Sequence, residues 1–257
     1  MPTILNSWLW PDDLTHAARV QRELAERVDV TDRFGEINRV GGTDCSNLPS
    51  DPEKRMTAVC VSLNYPALQL QEYVHTQADA PLPYVPGFLG FREAPALVEA
   101  IQKLSVMPDL LMVDGHGISH PRHLGIASHL GVLLDCPTIG VAKNILVGKA
   151  GGDLGPKVGD FVPLVWKGSQ IGWVLRSRVN TLPIYVSPGH RVSMQSALEL
   201  VIRCLGKTKL PEPTRIAHNM ANLVRKNLML SSQSTQFPGP LFAALTTNSP
   251  NSKEYQN

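Results

Sequence analysis

LLMVDGHG, residues 110–117, places four apolar residues before an aspartate, which is followed by two glycines flanking a histidine. A short apolar run bounded by turn residues predicts a buried central strand. An ionised Asp114 at the end of that strand is costly unless a metal, hydrogen bonds or a cation compensates its charge. Because ligands bind at the carboxyl ends of strands in open α/β sheets, the stretch predicts a binding site. The alternative is that Asp114 only caps the next helix or a turn.

The composition is that of a globular chain with a substantial core. The chain has 257 residues, of which 43% are hydrophobic, and this suggests one large domain or two small ones. The pattern along the chain shows no internal repeat and favours a single domain. A formal charge of +2 and a pI near 8.4 are too mild to indicate nucleic-acid binding, although a local basic face stays open.

The cysteines and the apolar segments indicate the cellular compartment in which the protein is expected. The four cysteines are scattered without a CxxC pair, which predicts buried thiols in a reducing compartment rather than disulfides or zinc ligands. No stretch of 18 apolar residues is present, and the first residues lack a basic segment followed by a long apolar one. We therefore expect a cytoplasmic monomer that is not exported and has no membrane partner.

Apolar periodicity predicts a mixed α/β sheet. Strands at 40–45, 56–63 and 70–76 are joined by short turns, as in an antiparallel meander. A helix that opens at Phe91, with Glu93 in its first turn, then crosses over to a fourth strand at 109–114, parallel to the first. The remaining predicted elements are helices at 12–28, from His120 to Leu134, at 192–204 and from Pro211, and strands at 137–143, 161–166, 171–175 and 183–186. The strands at 161–166 and 171–175 are predicted to form a hairpin around Lys167 and Gly168.

The segment at residues 79–90 contains three prolines and two glycines, which predicts a loop without regular structure. Tyr84 lies between Pro83 and Pro86 in this segment. A stiff loop that carries an exposed ring is suited to insertion into something flat. The alternative, that Tyr84 packs on its own domain, is favoured when the loop is considered alone.

Three acids stand out by their positions. Asp44 ends the first strand and Asp114 ends the fourth, so their carboxylates point to one place if these strands pair. Like carboxylates repel each other, and a divalent cation with a preference for oxygen ligands, Mg²⁺ or Mn²⁺, removes that repulsion. Such ions activate water in phosphodiester cleavage, and Lys143, at the end of the fifth strand, would offset transition-state charge. The antiparallel trio followed by parallel strands, flanked by helices, resembles the ribonuclease H-like fold.

Eight segments resemble motifs of the endonuclease V family, in the order in which that family has them. They are PYVPGFL at 83–89, FRE at 91–93, VDGHG at 113–117, HPR at 120–122, LGIASH at 124–129, GVAK at 140–143, SPGH at 187–190 and PEPTR at 211–215. The resemblance implies a Mg²⁺-dependent endonuclease of DNA repair, with Mn²⁺ as a substitute, that recognises deoxyinosine, the product of adenine deamination. It implies hydrolysis of the second phosphodiester bond 3′ to the lesion, leaving 3′-hydroxyl and 5′-phosphate ends.

The same resemblance implies roles for individual residues. Asp44 and Asp114 would be metal ligands, and Glu93 would be a further catalytic carboxylate at the metal site. Lys143 would contact the reacting phosphate. His218 matches a histidine near the metal site in some members. Residues 1–230 would form the catalytic domain, and residues 231–257, rich in Ser, Gln, Thr, Pro and Asn, are predicted to be disordered.

The resemblance also changes the interpretation of the proline-rich loop. It resembles the wedge that separates strands at the lesion, so Tyr84 is predicted to contact nucleic acid together with its loop neighbours Pro83, Val85 and Pro86. A flipped base must be inspected by its edges. We predict that exposed backbone at Gly87, Gly115 and Gly117 reads the edge of the base. Leu89 and Ile126 would form the apolar walls beside it.

Three alternatives are weighed against this interpretation. His116, His120, His123 and His129 invite a zinc site, but their spacing is not that of a ligand set, which favours structural or substrate-binding roles. A binding-only reader of damaged nucleic acid is a second alternative, opposed by the complete set of acids. A ribonuclease acting on inosine-containing RNA is the third, because no single residue settles how the 2′-hydroxyl is read.

Overall fold

The structure of the protein, a computed structural model, describes residues 6–47, 55–80 and 82–231, with side chains described up to residue 227. The predicted disordered tail therefore lies outside the described residues, apart from its first residue, Ser231, which ends the last helix. The domain boundary at residue 230 stays a prediction.

One mixed sheet runs through the described residues. Its strands are β1 (Arg39–Asn47), β2 (Met56–Asn64), β3 (Leu70–Ala78), β4 (Leu110–Asp114), β5 (Thr138–Ala142), β6 (Lys149–Ala150), β7 (Phe161–Trp166), β8 (Ser169–Leu175) and β9 (Ile184–His190). Their order across the sheet is β3-β2-β1-β4-β5-β9-β8-β7-β6. β1 pairs antiparallel with β2 and parallel with β4, and β5 pairs parallel with β4. The predicted meander and the parallel fourth strand are confirmed.

The second half of the sheet differs from the prediction of parallel strands. β9 pairs antiparallel with β5 and with β8. β7 and β8 form the predicted antiparallel hairpin around Lys167 and Gly168, which is confirmed. β9 also continues to His190, four residues beyond the predicted end of this strand at residue 186. Pro188 is tolerated there because it lies opposite Ile139, next to an irregularity in the register, where a missing N–H group costs little.

Helices cover both faces of this sheet. They are α1 (Asn6–Leu9), α2 (Leu14–Ala25), α3 (Leu89–Gln102), α4 (Ile126–Leu134), α5 (Met194–Arg203) and α6 (Glu212–Ser231). Leu111 and Val113 belong to the core on the side of α3 and α4, whereas Leu110 and Met112 belong to the core on the side of α5. Successive side chains of a strand point to opposite faces, so the continuous apolar run of β4 reflects burial on both.

Two of the helix starts that differ from the predicted ones lie near the predicted site residues. α3 begins at Leu89, so Glu93 is its fifth residue and does not lie in the first turn. α4 begins at Ile126 and not at His120. The intervening residues form turns, in which the N–H of Gly125 donates to the carbonyl of Gly117, and His123 has a left-handed φ of 54°. That conformation interrupts a helix, and the sequence motif alone does not reveal it.

Close packing of α6 on β1 depends on Gly42. A Cβ atom at this position would lie 2.0 Å from the carbonyl oxygen of Pro213, in the first turn of α6. Only glycine lets the two backbones approach so closely. The contact fixes the start of α6 against β1 and thereby directs the following turns of the helix towards Asp44.

Candidate active site and nucleic-acid interface

Asp44 and Asp114 lie side by side where β4 ends. β1 pairs with β2 as far as Asn47, so Asp44 lies within its strand and does not end it as predicted. The parallel register pairs Thr43 with Val113, and the next residue of each strand is the acid. Ligand atoms of Asp44, Asp114 and His218 all lie within 4.8 Å of one another. Two carboxylates and an imidazole at this spacing can surround one metal ion.

Each of the two carboxylates has a basic partner. The ammonium group of Lys143 donates to Oδ2 of Asp114 at 2.5 Å, and Nδ1 of His218 lies 2.8 Å from Oδ2 of Asp44. The amide of Asn222 lies 3.1 Å from the other ring nitrogen of His218 and so orients the imidazole. The hydrogen bond with Asp44 raises the pKa of His218. These partners compensate part of the carboxylate charge, as buried acids require.

The predicted acids also interact at longer range. Burial, together with repulsion from Asp44, raises the pKa of Asp114 to about 6, against the opposing effect of Lys143. Burial, with repulsion from Asp44 and Asp114, raises the pKa of Glu93 to about 8. Glu93 is thus in the same electrostatic site, although among the described residues it is not in the trio whose ligand atoms lie within 4.8 Å. Such mutual repulsion is what a divalent cation would relieve.

Two residues of this neighbourhood were not identified from the sequence. Burial, together with the charges of Glu93 and Asp44, raises the pKa of the Cys45 thiol well above its usual range. Burial, together with repulsion from Lys143, lowers the pKa of Lys209, which places a second ammonium group near the site. The position of Cys45 next to Asp44 was a usable signal, whereas nothing in the sequence around Lys209 points to the site.

A cleft of about 340 Å³ opens beside the acids. It joins Asp114 and Lys143 at one end to Tyr84 at the other. Of the predicted nucleic-acid contacts, six line it: Tyr84, Pro86, Gly87, Leu89, Gly115 and Ile126. His116 and His120, for which structural or substrate-binding roles were predicted, line it too. The lining residues that were not predicted are Gly90, Gly125, Ala142, Asn144, Ile145 and Leu146. A mostly apolar pocket with few polar groups suits a planar ligand.

The proline-rich loop presents Tyr84 to solvent. The residue is 68% exposed, which excludes the alternative that its ring packs on its own domain. Pro83 and Pro86 are exposed as well, and Val85 is half-buried. Pro83 and Val85 do not line the cleft. They therefore help to position the Tyr84 ring and do not form part of the pocket wall.

Both ends of this loop are held by buried polar groups. The carbonyl of Gly87 accepts hydrogen bonds from Gln21 Nε2 at 2.9 Å, Arg122 Nη2 at 2.8 Å and His120 Nε2 at 3.1 Å. Gln21 Oε1 also accepts from Arg122 Nε. At the other end, Arg92 Nη1 donates to the carbonyl of Leu82 at 3.0 Å. The loop that carries the exposed ring of Tyr84 is therefore held rigidly. We use the term Gly87 clamp for the three residues Gln21, His120 and Arg122.

Comparison with known proteins supports a specific family. The Endonuclease V family profile matches residues 22–219. The endonuclease V of Rhodospirillum centenum is 52% identical over 226 residues, which are 88% of this chain and 94% of that protein. The chain belongs to the endonuclease V family.

Solved structures of the endonuclease V family agree with this assignment. The Streptomyces avermitilis protein superimposes with a TM-score of 0.80 at 35% identity, over 86% of this chain and 96% of that one. An endonuclease V from Ciona intestinalis, in complex with a 24-mer DNA containing an inosine followed by a ribo-adenosine, gives a TM-score of 0.74 at 26% identity, over 84% and 98% of the two chains. The fold is thus the predicted ribonuclease H-like one, and the chain is a nuclease, a hydrolytic enzyme. No helix in the described part of the chain is long and apolar enough to cross a membrane.

The two glycines of the endonuclease V motif VDGHG have different surroundings. Gly115 lines the cleft with φ at +152°, and a Cβ there would lie 2.4 Å from Cγ2 of Ile126. Gly117 is buried and does not line the cleft. Its N–H donates to Ser187 Oγ at 2.9 Å, and a Cβ would lie 1.9 Å from the carbonyl oxygen of Pro188. The structure therefore gives Gly117 a packing role in place of the predicted contact with a base.

The four histidines that suggested zinc have separate partners. His116 Nδ1 lies 2.9 Å from Ser119 Oγ, His120 holds Gly87, His123 Nδ1 lies 3.2 Å from the carbonyl of Ile118, and His129 Nε2 lies 2.8 Å from that of Trp8. Burial lowers the pKa of His116 and of His129 to about 4, so both rings are neutral. Across residues 6–47, 55–80 and 82–231, no group with metal-ligand spacing includes any of the four.

Proposed function

We propose that this chain is a Mg²⁺-dependent endonuclease of DNA repair that recognises deoxyinosine and cuts the second phosphodiester bond on its 3′ side, leaving 3′-hydroxyl and 5′-phosphate ends. The observation that carries the proposal is the single cleft that joins Asp114 and Lys143 to the exposed ring of Tyr84. The Ciona intestinalis relative binds inosine-containing DNA, which supports this substrate class.

The acids fit a divalent cation with a preference for oxygen ligands. Asp44 and Asp114 would hold the ion, Glu93 would supply a further carboxylate, and Mn²⁺ could replace Mg²⁺. Burial, together with repulsion from Asp44, raises the pKa of Asp114 and of Glu93, so a cation would stabilise their ionised forms. When bound, it would activate water and stabilise the leaving oxygen. His218 is turned towards Asp44 and is suited to orient that carboxylate.

The basic residues of the cleft act on the substrate phosphate. Lys143 lines the cleft and is 38% exposed, so its ammonium group can reach a phosphate oxygen while it stays close to Asp114. A fixed positive charge at this position would stabilise the negative charge that develops on the phosphate in the transition state.

The other end of the cleft reads the lesion. Tyr84 would fill the gap that the flipped base leaves, because a rigid loop loses little entropy on insertion. Inosine carries a C6 carbonyl and a protonated N1 where adenine has an amine and an acceptor. Backbone groups at Gly87 and Gly115 would read that difference, between apolar walls formed by Leu89 and Ile126.

The test is cleavage of matched duplexes with and without one deoxyinosine, with each strand end labelled so that the cut can be mapped. We expect one cut at the second bond on the 3′ side in Mg²⁺ and none in EDTA. Cleavage that persists in EDTA would refute the metal mechanism. Lesion binding without any cleavage in Mg²⁺ or Mn²⁺ would indicate a binding-only reader.

A ribonuclease acting on inosine-containing RNA is the second candidate. It is favoured by the ribo-adenosine that follows the inosine in the DNA bound to the Ciona intestinalis relative. The same assay with RNA, and with DNA carrying one ribonucleotide 3′ to the inosine, separates the two candidate functions, since a protein distinguishes RNA by its 2′-hydroxyl.

All four cysteines are free and three are buried, which supports the proposed cytoplasmic location.

A further inference from the structure

A stack of three side chains stands at the tip of the β7–β8 hairpin. The ammonium nitrogen of Lys167 lies 4.5 Å from the centroid of the Trp166 ring. The ring of His123 lies 5.7 Å from the same ring, centroid to centroid. Lys167 and His123 are exposed and Trp166 is half-buried. The hairpin tip thus displays two basic groups held against one aromatic ring.

The backbone on both sides of this stack is rigid. Trp166 pairs with Ser169, and the two turn residues between them, Lys167 and Gly168, have φ values of 50° and 82°. Positive φ at both positions is typical of a tight hairpin turn. His123 sits in the left-handed region, with its ring nitrogen bound to the carbonyl of Ile118. The basic groups are therefore presented in fixed positions, which limits the entropy lost on binding.

Chain segments that carry the stack lead directly from residues that line the cleft. His123 directly follows Arg122, a member of the Gly87 clamp, and is three residues from His120, which lines the cleft. On the other side, Lys149 pairs with Val165, the residue before Trp166, and lies three residues after Leu146, which also lines the cleft.

The cations on this surface are available to a ligand. Lys149 and Lys167 are both exposed. Neither forms a salt bridge with a residue in the described part of the chain. An exposed cation without a carboxylate partner can neutralise a phosphate and release its counterion.

We propose that His123, Trp166 and Lys167, together with Lys149, form a second contact surface for the DNA, which binds the phosphate backbone that flanks the lesion outside the cleft. This rests on the proposed function. Phosphate contacts of this kind position a duplex without reading its sequence. Trp166 would act as the platform that holds Lys167 and His123, and the surface would add affinity without taking part in the chemistry.

The experiment measures the affinity of full-length protein for a long deoxyinosine duplex, its undamaged counterpart and a deoxyinosine duplex with truncated flanks, over a range of salt concentrations. Lys167→Ala and Lys149→Ala should each weaken binding to both long duplexes about threefold to tenfold and reduce the salt slope by about one. Binding to the truncated duplex, and single-turnover cleavage at saturating DNA, should stay unchanged.

Matched variants complete the test. Lys103→Ala is the control, because Lys103 follows α3 and pairs with Glu99 there, away from the hairpin. Trp166→Leu should reproduce the Lys167→Ala defect, and since Lys167 is exposed the lysine variant is not at risk of misfolding. Unchanged salt slopes in the lysine variants, or a defect seen only with the truncated duplex, would overturn the proposal. A wild-type protein that neither binds nor cuts the deoxyinosine duplex would overturn the proposed function instead.

Discussion

Gln21 holds the loop that presents Tyr84, and its replacement by methionine tests that link. The side chain is 1% exposed, donates to the Gly87 carbonyl and accepts from Arg122. Methionine has a similar length and no amide, so Gln21→Met removes both hydrogen bonds while it fills most of the space. Gly87 keeps its bonds with His120 and Arg122, whereas Arg122 Nε loses its partner.

The size of the effect follows from these contacts. One lost hydrogen bond contributes about 1 kcal/mol, and a partly buried donor without a partner costs about 1–3 kcal/mol. We therefore expect the free energy of unfolding to fall by about 2–4 kcal/mol. If half of that cost falls on the conformation of the loop that contacts the lesion, the binding free energy for the lesion decreases by about 1.4 kcal/mol. Lesion binding should then weaken roughly tenfold.

The assay compares dissociation constants for deoxyinosine and undamaged duplexes, beside thermal unfolding. Gln21→Met should lose affinity for the lesion and leave affinity for undamaged DNA almost unchanged. Gln21→Glu is the matched control: its carboxylate still accepts from Arg122, but it cannot donate to Gly87. It should lose lesion affinity as well, because the new carboxylate oxygen faces the Gly87 carbonyl oxygen and repels it. If Gln21→Met lowers the melting temperature without any loss of lesion affinity, the clamp does not set the loop position.

Three further predictions concern the acids, the ring and a buried histidine. Asp114→Asn should abolish single-turnover cleavage while lesion binding in a mobility-shift assay persists, because the variant removes a metal ligand and not the reading loop; cleavage near the wild-type rate would contradict the assignment. Tyr84→Ala should weaken lesion binding by about 1–3 kcal/mol, the worth of one stacked ring, and an unchanged affinity would exclude contact with the bases. His129 has a pKa of about 4 in the folded protein against an ordinary 6.5, so the unfolded chain takes up its proton first. The stability that the neutral His129 ring contributes is complete above about pH 6.5. As the pH falls towards 4, the free energy of unfolding decreases by up to about 3 kcal/mol. His129→Gln, which can still donate to Trp8, should flatten the dependence of the melting temperature on pH over that range, and an unaltered slope would be evidence against this account.

Several features of this protein follow from local sequence. The apolar run at 110–113 predicts a strand buried on both faces, because no other short element hides four consecutive apolar side chains. Strand-end acids at Asp44 and Asp114 predict a shared site once the first and fourth strands are parallel. The proline pattern around Tyr84 predicts a stiff exposed loop, because proline restricts the backbone whatever surrounds it.

Other features were decided only by contacts between distant parts of the chain. His218 meets Asp44 across 174 residues, and Gln21 reaches Gly87 across 66, so no local pattern could reveal either hydrogen bond. Gly117 looked like a free backbone surface and proved to be packed under Pro188, because β9 joins the sheet beside β5. Local sequence determines which conformations a segment can adopt, whereas long-range packing decides which of its groups remain free to bind. The acids and the loop were therefore predictable, and the family resemblance placed His218 near the acids. The hydrogen bonds that hold Asp44 and Gly87 in place were not predictable.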